Sequence, residues 1–419
     1  VYFPLEQLMR KIGSVVGRDP LGIIRRNLVR PSSMPFTTPS GGVLDSGDYG
    51  ALVEQALLEG NFADLEDARQ RARRAGKLYG IGYAACVEPT ISNMGYITTV
   101  LSAQERERAG PKGGAQATAT VSVDPLGGVN VSIASTPQGQ GHRTVIGQVV
   151  ADALGIAPDV VHVNAELDTG RDPWSIASGN YSCRFAGAVA GAAWLAAGEL
   201  RTRLARVAAA KFDCSAEMLA FRDGKIIHRE NANISIDFKR LAGEGHWAAS
   251  TLPPDLPQAL SVTEFWSPDV LQPPDDDDRI NGSAAYGFIF DFCGVEVDRA
   301  TGQVKIDRYV SAHDAGRLLH PAMADGQSQG GFAHGLGAAL MEELAYDADG
   351  GFLSASLADY PMPTACETPS VQIVHRQTAS PVTPLGAKGI GEGTTMSAPV
   401  CLANAVADAL GLEQIDLPL

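Results

Sequence analysis

Residues 384–400, PLGAKGIGEGTTMSAPV, place one acid, Glu392, in a glycine-dense loop that runs into a helix expected to begin near Ser397 and Pro399. Glycines let backbone N–H groups approach a bound anion, and a helix start offers N–H donors that the helix itself leaves unpaired. The nearest basic residue of the loop is Lys388, so nothing closer neutralises the carboxylate.

Size and composition set the frame. A chain of 419 residues exceeds one compact core, and 45% hydrophobic with 19% charged residues is an ordinary globular balance, so two domains, or one plus part of another, are expected. A net charge of -15 argues against nucleic acid or an acidic membrane surface as the main partner. No apolar run reaches the roughly 20 residues of a bilayer span, and no basic stretch followed by an apolar core opens the chain, which reads as cytoplasmic. Cys86, Cys183, Cys214, Cys293, Cys366 and Cys401 form no C-x-x-C pair and read as reduced thiols.

Leu5, Met9, Ile12 and Val16 share a helical stripe, and Asp19 with Pro20 reads as the N-cap and first-turn proline of a second helix carrying Leu21, Ile24 and Leu28. The chain is thus expected to open inside packed structure. Residues 31–50 read as a long surface connection, followed by charged helices to about Lys77. Residues 76–90 and 115–133 alternate as strands around a charged loop, QERERAGPKGG. A helix over 144–154, a strand at 160–164, a long Ala/Gly-rich helix over 184–212 and a strand pair at 286–298 and 303–313 complete a mixed α and β pattern. Residues 248–282 read as an irregular excursion, its acid run Asp275 to Asp278 as a solvated loop.

Four segments resemble the Glu392 loop. In STPQGQGHRT, residues 135–144, Gly139 and Gly141 flank Gln140 before a helix start; a tight strand-to-helix turn explains a G-x-G equally well, and Thr144 stands where a dinucleotide fingerprint needs glycine. Residues 168–185, DTGRDPWSIASGNYSCRF, carry hydroxyls and amides to the start of the Ala/Gly helix, for anion binding or for capping by Ser178 or Ser182. Within residues 314–343, Gln327 follows Gly326 at another expected helix start, and the inner glycines read as close helix packing. Residues 357–369 read as a structural turn. His142, His313, His320 and His334 lack zinc spacing, and neither a G-x-S-x-G elbow nor a phosphate loop is present. Glycine-flanked loops that open helices, with one acid, suit a long anionic cofactor held by helix ends.

The ordered motifs PQGQGHRT, GNYSCRF, HDAG with HP, GQ and AHGLG, DYPMPT, and GAKGIGEGTTMSAPVCLANAVADAL resemble the molybdenum-binding subunit of the xanthine dehydrogenase and aldehyde oxidase family. LEQLMRKIGSVVGRDPLGIIRRNLVRP and VLDSGDYGALVEQAL extend the resemblance over essentially the whole chain. It implies an α+β fold: a large mixed α/β molybdopterin-binding region of the xanthine dehydrogenase type. Residues 1–76 would end a first molybdopterin-binding domain and residues 77–419 would form a second.

Carried over by motif, the resemblance makes Glu392 the catalytic base. Gly139, Gln140, Gly141, His142 and Thr144 become a cofactor loop, Asn180, Ser182, Cys183 and Arg184 a second one, and Gln327, Gly389 and Gly391 further cofactor contacts. The second loop departs from the T-Y-G-S-R-S of relatives, with Asn180 for Thr, Ser182 for Gly, and Cys183 and Phe185 for serines. The implied cofactor is molybdenum held through molybdopterin cytosine dinucleotide, without a protein metal ligand. The implied reaction hydroxylates an N-heteroaromatic carbon or oxidises an aldehyde, with water as oxygen source. Partners implied are a 2Fe-2S subunit and an FAD subunit, in a dimer of such assemblies; either the sequence is a fragment or, the preferred reading, the subunit is split and an upstream molybdopterin-binding polypeptide is a further partner. The upstream half, with one wall of the substrate pocket and any copper-binding cysteine loop, is absent from this chain. A noncatalytic pterin-binding scaffold or maturation protein would need the glycine loops but not Glu392, and a nicotinamide dehydrogenase would need the missing third glycine.

Overall fold

The computed structural model describes residues 2–110, 112, 114–176, 178–256 and 260–419. Pro111 and Gly113 of the charged loop, Ala177 of the 168–185 segment and Pro257, Gln258 and Ala259 of the excursion lie outside the described residues. The first helices are α1 (Tyr2–Val15) and α2 (Pro20–Asn27), and the Asp19 carboxylate caps α2 by accepting the Gly22 amide at 2.8 Å. The expected apolar stripe of α1 does not enter a core. Leu5, Ile12 and Val16 are exposed, and the helix packs through Gln7 and Gly13 instead. The physical reason is a buried amide pair: Gln7 Nε2 donates to Asn404 Oδ1 at 2.8 Å, which turns the polar side inward.

A two-stranded hairpin, β1 (Phe36–Thr37) and β2 (Val43–Leu44), lies within the expected surface connection, before α3 (Tyr49–Glu59) and α4 (Phe62–Arg74). Strand β3 (Leu78–Ser92) follows. The charged loop is instead partly helical, as α5 (Ala103–Ala109), because Ser102 and Glu105 form a capping box that the charge run concealed. The chain then runs through β4 (Ala117–Val123), β5 (Val129–Ile133), α6 (His142–Leu154) and β6 (Val161–Asn164). One π-turn, Phe185–Val189, leads into α7 (Ala190–Phe212).

Strands β7 (Leu219–Arg222), β8 (Lys225–His228) and β9 (Asn231–Asp237) form a small sheet whose first turn, Asp223-Gly224, has φ of 53° and 71°. Such a D-G pair is a strong hairpin signal that the sequence analysis passed over. After α8 (Phe238–Trp247), the excursion contributes a strand, β10 (Ser261–Trp266), paired along β4. The alternation SVTEFW had enough apolar residues to form that edge. The last elements are β11 (Ser283–Val297), β12 (Val304–Asp314), α9 (Pro321–Leu340), β13 (Gln372–His375) and α10 (Gly393–Leu410).

Two four-stranded sheets organise this α+β fold, in the orders β13-β12-β11-β3 and β10-β4-β5-β6. Helices α6 and α7 cover the second sheet, and their alanines, valines and leucines form one core with it. Residues of α2, α3 and α4 share a core with Tyr79, Ile81, Phe288, Phe290 and Phe292 on one face of the first sheet. On its other face lies α10, with Phe332 and Leu336 of α9.

What seats α10 is the absence of side chains. A Cβ on Gly80 would overlap the Ala405 carbonyl and the Ala409 amide, and one on Gly82 would overlap the Cys401 carbonyl. Glycine inside a strand therefore admits helix backbone to contact distance. Helix α10 starts at Gly393, four residues earlier than expected, and Pro399 sits inside it. A proline there deprives the Thr395 carbonyl of an amide partner. The early turn is held instead by buried side chains: Ser397 Oγ donates to Asp291 Oδ2 at 2.6 Å, and Asp291 also accepts from Tyr309 Oη and Ser311 Oγ. Ser311 reaches His313 Nε2 at 2.8 Å, which lies 3.3 Å from Thr394 Oγ1.

Gly82→Ala is expected to destabilise the chain by about 1–3 kcal/mol through overpacking, whereas Gly198→Ala in α7, with open space around its Cβ position, is expected to stabilise it by up to about 1 kcal/mol, read by denaturant unfolding. Burial raises the Asp291 pKa to about 6 and lowers that of His313 to about 3. The Asp291 contribution to stability is therefore fully present below about 3.8 and lost as pH climbs through about 6, while that of His313 is present above about 6.5 and lost as pH falls toward 3. The two oppose each other on acidification. Asp291→Asn should lose stability more steeply than wild type between pH 6 and 4, by up to about 1.4 kcal/mol per pH unit, and His313→Gln less steeply, measured as unfolding free energy against pH.

Candidate active site

The starts of α6, α9 and α10 open on one hollow of about 280 Å3, with the π-turn before α7 closing another side. Strand β3 positions two of its loops. On one face of its last turns of pleat, Glu88, Thr90 and Ser92 recur every second residue, as a strand requires. Glu88 Oε1 accepts the Glu392 amide at 2.9 Å, and Thr90 Oγ1 accepts the Gly389 amide at 2.8 Å. The Ser92 amide donates to Ser182 Oγ at 2.9 Å, and the Ser182 carbonyl accepts the Ile91 amide. Both the 389–393 loop and the 182–183 turn are thus bonded to a single strand.

Glu392 lines the hollow with its side chain exposed, its Oε2 lying 3.6 Å from Cys183 Sγ. Lys388 does not turn toward it. Its ammonium is buried, donates to the Ser46 carbonyl at 2.9 Å and faces Asp314 at 3.9 Å; burial lowers its pKa against the pull of Asp314. A Cβ on Gly389 would stand 2.5 Å from Thr90 Oγ1 and 2.7 Å from Cys183 Cβ, and one on Gly391 3.1 Å from Cys183 Sγ, so both glycines let the loop approach Thr90 and Cys183 more closely than side chains would allow.

In the 138–141 loop, Gly139 and Gly141 take φ of 108° and 83°, and a Cβ on Gly141 would overlap Met323 Sδ. Gln140 lines the hollow, its Oε1 accepting the Gln138 amide at 2.5 Å. His142 is fully buried, stacked on Phe185 at 3.6 Å between ring centroids, and burial pushes its pKa down to about 4, so the ring is neutral. Its Nε2 has no hydrogen-bond partner among the described residues although the ring lines the hollow. Thr144, one turn on, is exposed and does not line it.

Asn180, Ser182 and Cys183 all line the hollow. Ser182 and Cys183 adopt φ of 52° and 45°, a left-handed pair without glycine, which costs roughly 1–3 kcal/mol per residue. The substitution of Ser182 for the family's glycine is accommodated because its hydroxyl is held by Ser92. Arg184 points away, into the body. It donates to Tyr181 Oη and to the Ala115 and Gln116 carbonyls, and so braces the turn from behind. Gln327 also lines the hollow, but one turn inside α9 and not at its start, because His320 caps the helix ahead of Pro321. Its Nε2 donates to the Gly391 carbonyl at 2.7 Å.

The sequence therefore singled out Gln140, His142, Asn180, Cys183, Gln327 and Glu392 from four distant segments. It missed Gln138, whose Oε1 accepts from Asn180 at 3.1 Å and ties two loops together, and it missed Glu88. The signal for Glu88 was one acid inside a run of buried strand residues. Among the described residues, no three His, Cys, Asp or Glu side chains converge as a metal site. The donor-bearing residues that line the hollow include side-chain amides, an imidazole and Arg317, beside helix ends, a set suited to an organic anion.

The family model described as the molybdopterin cofactor-binding domain matches residues 55–369. The large subunit of nicotine 6-hydroxylase from Paenarthrobacter nicotinovorans is 32% identical over 407 residues, covering 97% of this chain and 46% of that protein. The carbon monoxide dehydrogenase large chain of Hydrogenophaga pseudoflava is 28% identical, covering 99% of this chain and 49% of that one. Among solved structures, quinoline 2-oxidoreductase from Pseudomonas putida 86 superposes with a TM-score of 0.84 at 28% identity, over 98% of this chain and 49% of the other. The chain spans about half the length of these relatives. Taken with the hollow at three helix starts, the matches place the chain in the molybdenum hydroxylase large-subunit family, with its molybdopterin cofactor-binding domain.

Proposed function

We propose that this chain is the molybdenum-binding catalytic part of a multi-subunit hydroxylase in which Glu392 is the general base, and that it hydroxylates an N-heteroaromatic carbon or oxidises an aldehyde with oxygen from water. The observation that carries the reading is the position of Glu392: a carboxylate at the edge of a hollow, with its main chain bonded to Glu88 and without a basic partner. The fit of the cofactor rests on the buried Nε2 of His142, which has no hydrogen-bond partner among the described residues. Gln140, His142, Asn180 and Gln327 would hold it from three sides, with Gly139 and Gly141 shaping the near loop and Ser182 and Cys183 presenting their turn to it. The names of the nicotine and quinoline relatives favour a nitrogen heterocycle as substrate.

When bound, the molybdenum–pterin group supplies the two-electron oxidation. The chain's own residues do the rest. Glu392 takes a proton from the attacking water at its carboxylate oxygen, Gln327 and Glu88 hold the loop that carries it, and Phe185 and Met323 give the hollow apolar walls that limit bulk water. The remaining parts of the reading concern the assembly. The cofactor is the cytosine dinucleotide form; residues 1–76 complete a first molybdopterin-binding domain whose upstream portion completes the substrate pocket, and residues 77–419 are the second. Electrons leave through a 2Fe-2S subunit and an FAD subunit in a dimer of cytoplasmic assemblies. Among the described residues no helix is long and apolar enough to cross a membrane.

Glu392→Gln is expected to lower turnover of a nitrogen heterocycle by roughly 10²- to 10⁴-fold with molybdenum content unchanged, measured by metal analysis and steady-state kinetics on the purified assembly. Near-normal turnover removes the assigned base, and molybdenum without any turnover in the wild type favours the scaffold reading. Cytosine monophosphate released on denaturation, with the copurifying polypeptides, tests the cofactor and partner assignments.

A further inference from the structure

Glu88 is a buried acid for which the general mechanism above has no chemical use. It is 2% exposed, the one charged residue of a strand whose other members are apolar or neutral polar, and among the described residues no lysine or arginine pairs with it. An ionised carboxylate in such a place is costly unless donors converge on it. Two do, and both come from the site. Oε1 receives the Glu392 amide at 2.9 Å and the Cys183 thiol at 2.8 Å, while Oε2 has no hydrogen-bond partner among the described residues and stands 2.9 Å from where a Cβ on Gly393 would fall. One oxygen atom therefore joins the loop of the base to the turn that faces it.

The thiol is the second part. Cys183 sits in left-handed backbone, so the direction of its side chain is imposed by the turn, and its sulfur lies between two carboxyl groups. Its one proton goes to Glu88, which leaves sulfur lone pairs toward Glu392 Oε2 at 3.6 Å. A thiol in that orientation accepts a hydrogen bond from Glu392 once Glu392 has taken a proton. Burial first, then the Glu88 charge, pushes the Cys183 thiol up, and burial raises the Glu88 carboxyl as well, so the sulfur stays protonated. A thiolate beside the cofactor would be a competing soft ligand.

We propose that Glu88 is the positioning residue of this site: one of its oxygens fixes the Glu392 main chain and the Cys183 thiol together, and thereby sets where the base stands and which way the thiol points. The inference rests on the assignment of Glu392 as base, but its geometric core can be read without turnover. The informative variants are Glu88→Gln, whose amide carbonyl can still accept both bonds, and Glu88→Leu, which cannot.

In the full chain without cofactor, alkylation of Cys183 at pH 8, followed by peptide mass spectrometry, is expected to quicken several-fold or more in both variants, because each removes the neighbouring negative charge. In the purified assembly, Glu88→Leu is expected to lower kcat by roughly 10²-fold with KM within a few-fold and molybdenum content unchanged, and Glu88→Gln to recover turnover to within about tenfold of wild type. Unchanged alkylation in both variants overturns the proposal. So do equal losses of kcat in Gln and Leu, wild-type kcat in Leu, or loss of molybdenum from Leu, which assigns the residue to cofactor retention. If Glu392→Gln is fully active while Cys183 alkylation responds as expected, the base assignment fails and the Glu88 geometry stands; the reverse pattern fails the geometry alone.

Discussion

The close approach of α10 to β3 is the constraint on which the rest of this molecule depends. Helix backbone rests on strand backbone because Gly80 and Gly82 have no side chains to hold it away. The same strand, six to ten residues later, turns Glu88, Thr90 and Ser92 toward the loops that precede α10 and the π-turn. Strand β3 thus sets both the height of the helix and the path of the chain entering it. The position of Glu392 follows from those two facts; among the described residues its carboxylate hydrogen-bonds only with Cys183.

Buried polarity is concentrated behind this arrangement. Asp291 collects three hydroxyls, His313 stands between Ser311 and Thr394, and Lys388 is tied to Ser46 and faces Asp314. Groups of this kind are expensive to bury and tolerate few alternative partners, so they specify one seating of a helix where apolar packing alone would accept several. That accounts for a helix with a proline in its second turn and a start earlier than its sequence suggests. The strained turn at Ser182 and Cys183 belongs to the same economy, since its left-handed backbone is kept by the hydroxyl bond to Ser92 and by Arg184 behind it.

Much of the local structure was legible. Asp19-Pro20 marked a helix start, the G-x-G of 139–141 marked the entry to α6, and ATGQ marked the β11–β12 turn, because each signal is a property of neighbouring residues. The candidate site was legible to the extent that Gln140, His142, Asn180, Cys183, Gln327 and Glu392 were singled out and line one hollow. Other expectations failed for a nonlocal reason. The stripe of α1 faces outward because Gln7 finds Asn404 almost 400 residues away, and SVTEFW became a strand because β4 offered it an edge.

By itself, then, the sequence determined most of the order of helices and strands, which loops could approach an anion, and which acid had no local partner. Only the tertiary structure decided that Glu88 and Cys183 stand on either side of one proton, that Arg184 turns inward and that Thr144 stays outside the hollow. The reason is physical. Turn and capping signals act over three or four residues, whereas the direction of a buried side chain is set by whichever distant donor can satisfy it, and no spacing along the chain encodes that partner.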